Sequence, residues 1–512
     1  MQLGKFEFAE EIAIMSKKKN EEKKTVESLN RAALLMLAVG FVAFVLSSGR
    51  WNIALMAWIW PFAFLYFSRQ TKSKKHFMLL MLAIVAGQII KWLNILNAGY
   101  VLDAVMCAAW SLCWVAVFVA DRLLYDKFNG FVSTLLFPAA IVSMEFLRTF
   151  TLFGSYGAAA YTQTGFLPLM QITSIIGTFG LSFLIMWFGS VLVHAAGRGA
   201  GWKKTLAIYA TIMIAVFTYG GVRMISAPVD YSETVRVASI VSPFYRLFSD
   251  GEYETIPYEE SEEYLVSEAE RAAAGGAEIA AWNEEAFAIK DSEEEEFLKT
   301  AKALSAKHDM DMVLAYETAD TDDSEEGLSV NKLVIITPDG SATEYIKTKL
   351  VPVIEDAYYV RGTGQIPTVI TDETVISAII CFDDSYVSYV HGFGAETDEA
   401  FDDTEILFVP SWDWSSVDKA HTDATEFRAI ENGISLVKPT YDGISTAVDH
   451  QGHVINKFDT DDTGYDTVQF ADVPTDSADT FYSRFGTIID IIFGIFGIVM
   501  VIAGIVQARR KK

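Results

Sequence analysis

The stretch "VISAIICFDDSYV", residues 375–387, combines a strand-like run with a reactive side chain at its end. Its first six residues are mostly apolar and rich in β-branched side chains, which is typical of a strand inside a sheet. Cys381 follows directly. Because α/β domains hold reactive groups at strand ends and in the loops that follow, Cys381 is a candidate nucleophile. The alternative is an inert cysteine buried in the core.

The sequence around this stretch alternates between strand-like and helical runs. Strands are predicted at 235–241, 277–282, 311–317, 332–337, 375–381, 405–411, 435–441 and 445–450. Helical periodicity marks "SEEYLVSEAERAAA", "EEEEFLKTAKALSAKH" and "KAHTDATEFRAIENG", the last of which ends at Gly433, and "TPDGS" is typical of a turn between two strands. This alternation predicts a layered α/β domain.

Long apolar runs on both sides of this domain predict membrane spans. They lie at about 31–49, 51–68, 77–96, 101–120, 131–148, 171–195 and 203–223, with a last one at about 486–507. Each is close to the ~20 residues that cross a bilayer core. The predicted organisation is a basic, disordered segment at 1–30, a seven-span membrane domain at 31–223, the α/β domain at 224–485, an eighth span at 486–507 and a basic tail at 508–512.

Charge is distributed unevenly between these parts. From Asp230 to Asp479 the chain holds 55 of its 66 acidic residues and 15 of its 40 basic ones, and the remaining basic residues cluster in alternate connections between spans. Because basic loops stay on the cytoplasmic side, the α/β domain is predicted to face away from the cytoplasm. The net charge of −26 argues against a nucleic-acid partner, which would require a basic surface.

Three residues of the α/β domain could perform covalent chemistry together. Glu284 follows one predicted strand, Lys347 lies in a second extended run, and Cys381 ends a third. A cysteine nucleophile needs a base for its proton and donors for the oxyanion, and Glu284 could be the base. Lys347 and the backbone amide of Phe382 could be the donors. The alternative is that Glu284 and Lys347 are ordinary surface charges.

No metal or cofactor is predicted. The seven histidines lack metal-ligand spacing, and there is no glycine-rich phosphate loop. The acidic runs "DSEEEE", "DTDDSEE" and "ETDEAFDD" lack the spacing of a calcium loop, so we interpret them as solvated surface. Cys107 and Cys113 fall inside the fourth predicted span, which leaves Cys381 without a disulfide partner in the domain.

The order Glu, Lys, Cys resembles that of the nitrilase, or carbon–nitrogen hydrolase, superfamily. "WNEEA" stands where the superfamily has Trp-Pro-Glu-Thr-Ala, and "YIKTKLVP", Glu355, "ICFDD", "FRAIENG" and "DGISTAVDHQGHV" match later segments. Over residues 30–507 the architecture resembles the apolipoprotein N-acyltransferase family, in which a nitrilase-like domain lies between the last two spans. Within the spans, "AAAYTQTGFLPLMQITSIIGTFGLSFL" resembles a stretch of the membrane part of that family.

Several positions depart from the family pattern. They are Val241, Pro243, Asn283, Glu285, Phe382, Asp383, Tyr441 and Asp442, and the stretch 392–405 resembles an insertion. The three candidate catalytic residues are retained. Acyl chemistry is therefore expected, with an altered pocket around it.

The resemblance implies an α-β-β-α sandwich domain that takes an acyl chain from a membrane phospholipid. The chain would pass through a thioester on Cys381 to the N-terminal amine of a diacylglyceryl-cysteine lipoprotein. Glu355 and Asp383 would support the site, without a cofactor. Because carboxylates raise a thiol pKa, Asp383 and Asp384 are expected to point away from the sulfur or to bind the amine. A monomer in the bacterial cytoplasmic (inner) membrane is implied.

Lipid substrates should enter from the bilayer, which requires a lateral gate. Its predicted members are Tyr161, between spans five and six, and Tyr358 and Tyr359, in a domain loop. The alternative is that these aromatic residues only anchor the fold at headgroup level.

The sequence is also consistent with two other functions. The first is a membrane-tethered amidase or hydrolase that passes the acyl group to water. The second is a transporter or binding protein with an inactive nitrilase domain. The spans hold few ionisable residues, notably Lys91, Asp103 and Glu145, which disfavours an ion path. Arg428 and Glu431, spaced i, i+3 on one helix, are interpreted as a structural ion pair.

Overall fold

The computed structural model describes most of the chain. The described residues are 31–71, 73–94, 99–151, 153–242, 245–247, 253–255, 258–319, 328–352, 354–391, 404–414, 416–460 and 467–510. The predicted segment 1–30, the "DTDDSEE" and "ETDEAFDD" runs, Pro243 and the last two residues of the basic tail lie outside these ranges.

Helices occupy every segment predicted to cross the membrane. In chain order they are α1 (Arg31–Leu46), α2 (Ala54–Gln70), α3 (Lys74–Trp92), α4 (Tyr100–Leu124), α5 (Leu136–Arg148), the single turn α6 (Leu167–Met170), α7 (Thr173–Ala196), α8 (Trp202–Ser226), α9 (Tyr258–Ala274), α10 (Glu294–His308), the single turn α11 (Val387–Val390), α12 (Asp418–Asn432) and α13 (Phe481–Arg510). Short 3₁₀ helices cover Tyr125–Lys127, Gly130–Thr134, Ala159–Gln163 and Cys381–Ser385.

Six helical segments of the described chain are long and apolar enough to span a bilayer. They correspond to α3, α4, α5 with its preceding 3₁₀ turn, α7, α8 and α13. Helices α1 and α2, at the other two predicted positions, contain 16 and 17 residues and are shorter than those six. The described chain therefore has the six long apolar helices of a multi-helix membrane protein, with α1 and α2 beside them.

Seventeen strands form the rest of the described fold. They are β1 (Thr234–Val241), β2 (Tyr245–Leu247), β3 (Tyr253–Thr255), β4 (Ile279–Trp282), β5 (Ala288–Lys290), β6 (Asp311–Ala319), β7 (Val330–Ile336), β8 (Ala342–Ile346), β9 (Thr368–Ile370), β10 (Val375–Ala378), β11 (Ile406–Phe408), β12 (Ser411–Trp412), β13 (Ser435–Lys438), β14 (Thr440–Tyr441), β15 (Ile444–Val448), β16 (Val454–Asp459) and β17 (Thr467–Pro474).

Two large sheets organise these strands. One has the order β17-β1-β4-β6-β7-β8, with β5 also paired to β6, and the other has the order β16-β15-β13-β11-β10-β9. Strands β1, β4 and β6 run parallel to one another, as do β10, β11 and β13. The carboxyl ends of each parallel set therefore lie at one edge, where α/β proteins place their functional groups.

The two sheets pack face to face between helices. Val237 and Ala281 of the first sheet share an apolar core with Ile376 and Leu407 of the second. The opposite face of the first sheet packs on α9 and α10. Helix α12 contacts β13 and β15 of the second sheet on one side and the membrane helix α7 on the other. The result is the predicted α-β-β-α sandwich, seated on the membrane helices through α12.

Candidate active site

Glu284 lies in the loop after β4, at the carboxyl edge of the parallel strands. Its side chain is 2% exposed, which excludes the surface-charge alternative. Oε1 accepts hydrogen bonds from Lys347 Nζ at 2.6 Å and Asn331 Nδ2 at 2.8 Å. Oε2 accepts one from the backbone N–H of Trp412 at 2.9 Å. These donors hold the carboxylate in one orientation.

Lys347 follows β8 directly and is completely buried. Its Nζ lies 2.6 Å from Glu284 Oε1 and 2.6 Å from Glu355 Oε1. Glu355 is held in turn by the backbone N–H of Val351, which donates to Oε2 at 2.7 Å. Burial alone would lower the pKa of Lys347, but the charges of Glu284 and Glu355 outweigh it and raise that pKa well above the usual value. The site therefore contains a permanent cation.

Cys381 begins the 3₁₀ helix that follows β10. Its φ of +47° lies in the left-handed region, which is uncommon for a residue with a side chain and is typical of strained functional turns. The backbone N–H donates to Pro410 O at 2.8 Å, and Sγ lies 3.8 Å from Trp412 O. Burial and the neighbouring Glu284 raise the pKa of the thiol well above its usual value. The free thiol is thus protonated near neutral pH and requires a base.

Phe382 lies in the first turn of the same 3₁₀ helix, where backbone N–H groups have no intrahelical acceptor. That position is compatible with the predicted role of its amide as an oxyanion donor. Its ring packs edge-on against Tyr386, with ring centroids 5.6 Å apart, and borders the cavity described below.

Asp383 and Asp384 are engaged by groups other than the thiol. Asp383 accepts the hydroxyl of Tyr345 at 2.7 Å and the backbone N–H of Ile380 at 3.0 Å, and burial raises its pKa to about 7. Asp384 Oδ1 lies 2.9 Å from His421 Nε2. Both carboxylates thus have hydrogen-bond partners of their own, and their orientation relative to the sulfur stays a prediction.

Sequence reasoning missed several neighbours of the three candidate residues. Asn331 donates to both Glu284 and Glu285, at 2.8 Å in each case. Trp412 connects the base to the thiol, because its N–H reaches Glu284 while its carbonyl faces Cys381. Asn331 and Trp412 lie 47 and 128 residues from Glu284 in sequence, so no local motif could have indicated either contact.

A mostly apolar cavity opens beside Cys381. Its lining comes from both parts of the chain, because membrane-side residues face domain residues across it. The membrane side contributes Met106, Cys107, Trp110, Phe153 and Tyr156, and the domain contributes Val351, Pro352, Cys381, Phe382, Trp412, Asp413, Trp414, Val417 and His421. The thiol therefore faces an apolar space at the junction of the sandwich and the membrane helices.

The predicted gate residues lie outside this lining. Tyr358 is 67% exposed and Tyr359 is half-buried, on the loop that continues from Val351 and Pro352. Tyr161 is buried, hydrogen-bonds to Ser155 at 2.6 Å and packs edge-on against Phe427. Tyr161 therefore has the environment of a core residue, and the gate stays a prediction for Tyr358 and Tyr359.

Arg428 and Glu431 form the predicted ion pair, with a distance of 3.0 Å between buried side chains. Glu431 Oε1 also accepts the backbone N–H and the hydroxyl of Thr178, both at 2.7 Å. Thr178 follows Gly177, whose φ of +63° interrupts α7 and whose Cβ, if present, would collide with the Tyr482 ring at 2.2 Å. The pair thus joins the sandwich to a membrane helix at its kink.

Fold and site define a membrane-embedded protein with a carbon–nitrogen hydrolase type of domain. The family model described as "Apolipoprotein N-acyltransferase N-terminal domain" matches residues 39–191, and the model described as "Carbon-nitrogen hydrolase" matches residues 252–480. The chain is 24% identical to the apolipoprotein N-acyltransferase of Geobacter metallireducens, over 90% of this chain and 93% of that protein.

A second relative gives the same result. The apolipoprotein N-acyltransferase of Rickettsia bellii is 23% identical over 80% of this chain and 85% of its own. Among solved structures, an amidase from Nesterenkonia sp. aligns with 50% of this chain and 95% of its own at 17% identity, with a TM-score of 0.38. Both parts of the chain are therefore similar to apolipoprotein N-acyltransferases, the membrane part through its own family model and nearly the whole chain through these relatives.

Proposed function

We propose that this protein transfers an acyl chain from a membrane phospholipid to the N-terminal amine of a diacylglyceryl-cysteine lipoprotein, through a thioester on Cys381. The observation that carries the proposal is the position of the thiol. Cys381 sits beside the buried Glu284 and Lys347 and faces an apolar cavity that is shared with the membrane helices. Two lipid-anchored substrates need such a thiol at bilayer level.

In the first half-reaction Glu284 takes the proton of the Cys381 thiol as sulfur attacks the ester carbonyl of the phospholipid. Lys347 and the Phe382 amide stabilise the oxyanion of the tetrahedral intermediate. The C–O bond of the ester breaks, Glu284 returns the proton to the leaving oxygen, and a lysophospholipid departs. The acyl group remains on sulfur as a thioester.

In the second half-reaction the lipoprotein amine attacks the thioester carbonyl. Glu284 accepts a proton from the attacking nitrogen, the C–S bond breaks, and the proton restores the Cys381 thiol. The product is an amide, and the enzyme returns to its starting state. The two steps predict ping-pong kinetics. Glu355 supports them by holding Lys347 in place at 2.6 Å.

Intact-mass spectrometry tests the covalent step. Purified full-length protein incubated with phospholipid should gain the mass of one acyl chain, and hydroxylamine should remove it. Adding a diacylated lipopeptide should discharge the thioester and yield N-acylated peptide. Free fatty acid without N-acylated peptide would identify a hydrolase, and no mass gain with any phospholipid would favour a binding or transport protein with an inactive domain.

We further propose that the protein lies in the bacterial cytoplasmic membrane with the sandwich domain on the extracytoplasmic face. The basic connections between spans support this orientation. A protease site inserted into 320–326, a run outside the described residues, should be cleaved in intact spheroplasts. Cleavage only after the membrane is broken would contradict the orientation.

A further inference from the structure

Beside the proposed catalytic residues lies a group of buried polar side chains that the acyl-transfer mechanism does not use. Asp413 follows β12, and His421 lies in the first turn of α12. His421 Nδ1 lies 2.6 Å from Asp413 Oδ1. One donor atom each of Cys381, Asp413 and His421 lies within 4.8 Å of the others, and all three residues are buried.

We propose that Cys381, Asp413 and His421 form a three-ligand site for zinc, and that zinc bound there blocks the nucleophile. Thiolate, imidazole and carboxylate are the ligands that zinc uses, at about 2.0–2.3 Å from the metal. A thiolate and an imidazole together disfavour magnesium and calcium, which prefer oxygen ligands. The fourth position of a tetrahedral ion would open towards the cavity.

The surroundings of the three side chains match those of a zinc site. A metal-bound histidine usually donates its second ring nitrogen to a carboxylate, and His421 Nε2 lies 2.9 Å from Asp384 Oδ1. Asp384 is itself held by the hydroxyl of Thr425. Lys438 Nζ donates to Asp413 Oδ2 at 2.7 Å, which leaves Oδ1 directed at His421. His421 and Asp413 are therefore each held by a hydrogen-bond partner, Asp384 and Lys438 respectively, before any metal binds.

The absence of metal-ligand spacing in the sequence does not argue against this site. Cys381, Asp413 and His421 belong to three separate segments, the 3₁₀ helix after β10, the loop after β12 and α12. Only the packing of α12 under the carboxyl edge of the second sheet brings them together.

Cobalt is the probe for the site, because a thiolate bound to Co²⁺ gives a charge-transfer absorption in the near ultraviolet. Titration of the full-length protein in detergent should produce this absorption at one Co²⁺ per chain, and zinc should abolish it. Cys381→Ser should lose the absorption. Cys113→Ser and Cys107→Ser should retain it, which makes them matched thiol controls. Absorption that survives in Cys381→Ser would overturn the proposal.

Two further measurements test the other ligands. His421→Gln should remove most of the cobalt affinity, and Asp384→Asn should weaken it about tenfold, as expected for an outer partner. In the unmodified protein, zinc should slow alkylation of Cys381 by a small neutral reagent, and a chelator should restore the rate. Unchanged alkylation at saturating zinc, or unchanged affinity in His421→Gln, would refute the site. None of these measurements depends on acyl transfer.

Discussion

The ammonium of Lys347 lies 2.6 Å from Glu284 Oε1, and both side chains are buried. A buried charge is stable only when it is paired, so each group depends on the other. The arrangement places a base and a cation together at the edge of the first sheet, where the thiol of the second sheet meets them. This contact explains why substitutions at either residue are expected to affect the same step.

The first prediction concerns the three proposed catalytic residues. Cys381→Ala should abolish acylation, and Glu284→Gln and Lys347→Met should each reduce its rate about 10³-fold or more, because the groups act as a unit. Single-turnover transfer from phospholipid to lipopeptide measures this. Cys381→Ala should remain folded and inserted in the membrane, whereas Lys347→Met should also lose stability, because it leaves Glu284 and Glu355 as buried carboxylates without their cation.

Glu285→Gln is the matched control for that series. Burial and the adjacent Glu284 raise the pKa of Glu285 well above its usual value, which favours the neutral carboxyl, and an amide has the same shape as that form. Near-normal transfer is therefore expected. An inactive Glu285→Gln variant together with an active Glu284→Gln variant would show that Glu285 is the base instead.

The second prediction concerns the pKa of the Cys381 thiol. The negative charge of Glu284 raises this pKa and the positive charge of Lys347 lowers it. Glu284→Gln should therefore lower the thiol pKa, although turnover is lost. Lys347→Met should raise it. The pH dependence of alkylation by a small reagent, with chelator present, measures both shifts. A thiol pKa that rises in Glu284→Gln would contradict the proposed arrangement.

The third prediction concerns the ion pair that joins α12 to α7. Arg428→Met would leave Glu431 as an unpaired buried carboxylate, which should cost about 3–5 kcal/mol of stability. The double variant Arg428→Met/Glu431→Gln should recover much of this loss, since Gln still offers an acceptor to Thr178. Thermal unfolding in detergent measures the difference.

The exposed pair of Lys299 and Glu296 provides the control for this measurement, because it has the same i, i+3 spacing at the surface. Lys299→Met should leave the unfolding temperature unchanged. A double variant at 428 and 431 that is as unstable as the single variant would show that the pair itself is not the source of the loss.

The fourth prediction concerns substrate entry. If Tyr358 and Tyr359 form part of a lateral gate, the double change Tyr358→Ser/Tyr359→Ser should slow acylation from bilayer phospholipid far more than from a short-chain, water-soluble ester. The two donors share the chemistry and differ in their route to the thiol. An equal loss with both donors would assign these tyrosines to folding or chemistry and would remove the gate from this loop.

Local patterns in the sequence were sufficient for the membrane helices and for most of the sandwich. Hydropathy and periodicity are properties of short windows, so eight apolar segments and the strands around Cys381 could be predicted from them. The edge strands β16 and β17 were not predicted. Both mix polar and apolar residues at partly exposed positions, and pairing with β15 and β1, rather than composition, makes them strands.

The residues of the candidate site could likewise be predicted only in part. Short motifs surround Glu284, Lys347 and Cys381, so their order along the chain could be recognised in the sequence. The motifs also include Glu355 and Asp383. Their partners could not, since Asn331, Trp412, Asp413 and His421 reach the site from other strands and from α12. Whether a charged residue is a surface group or a buried, paired one depends on contacts between distant segments, and only tertiary packing decides those contacts.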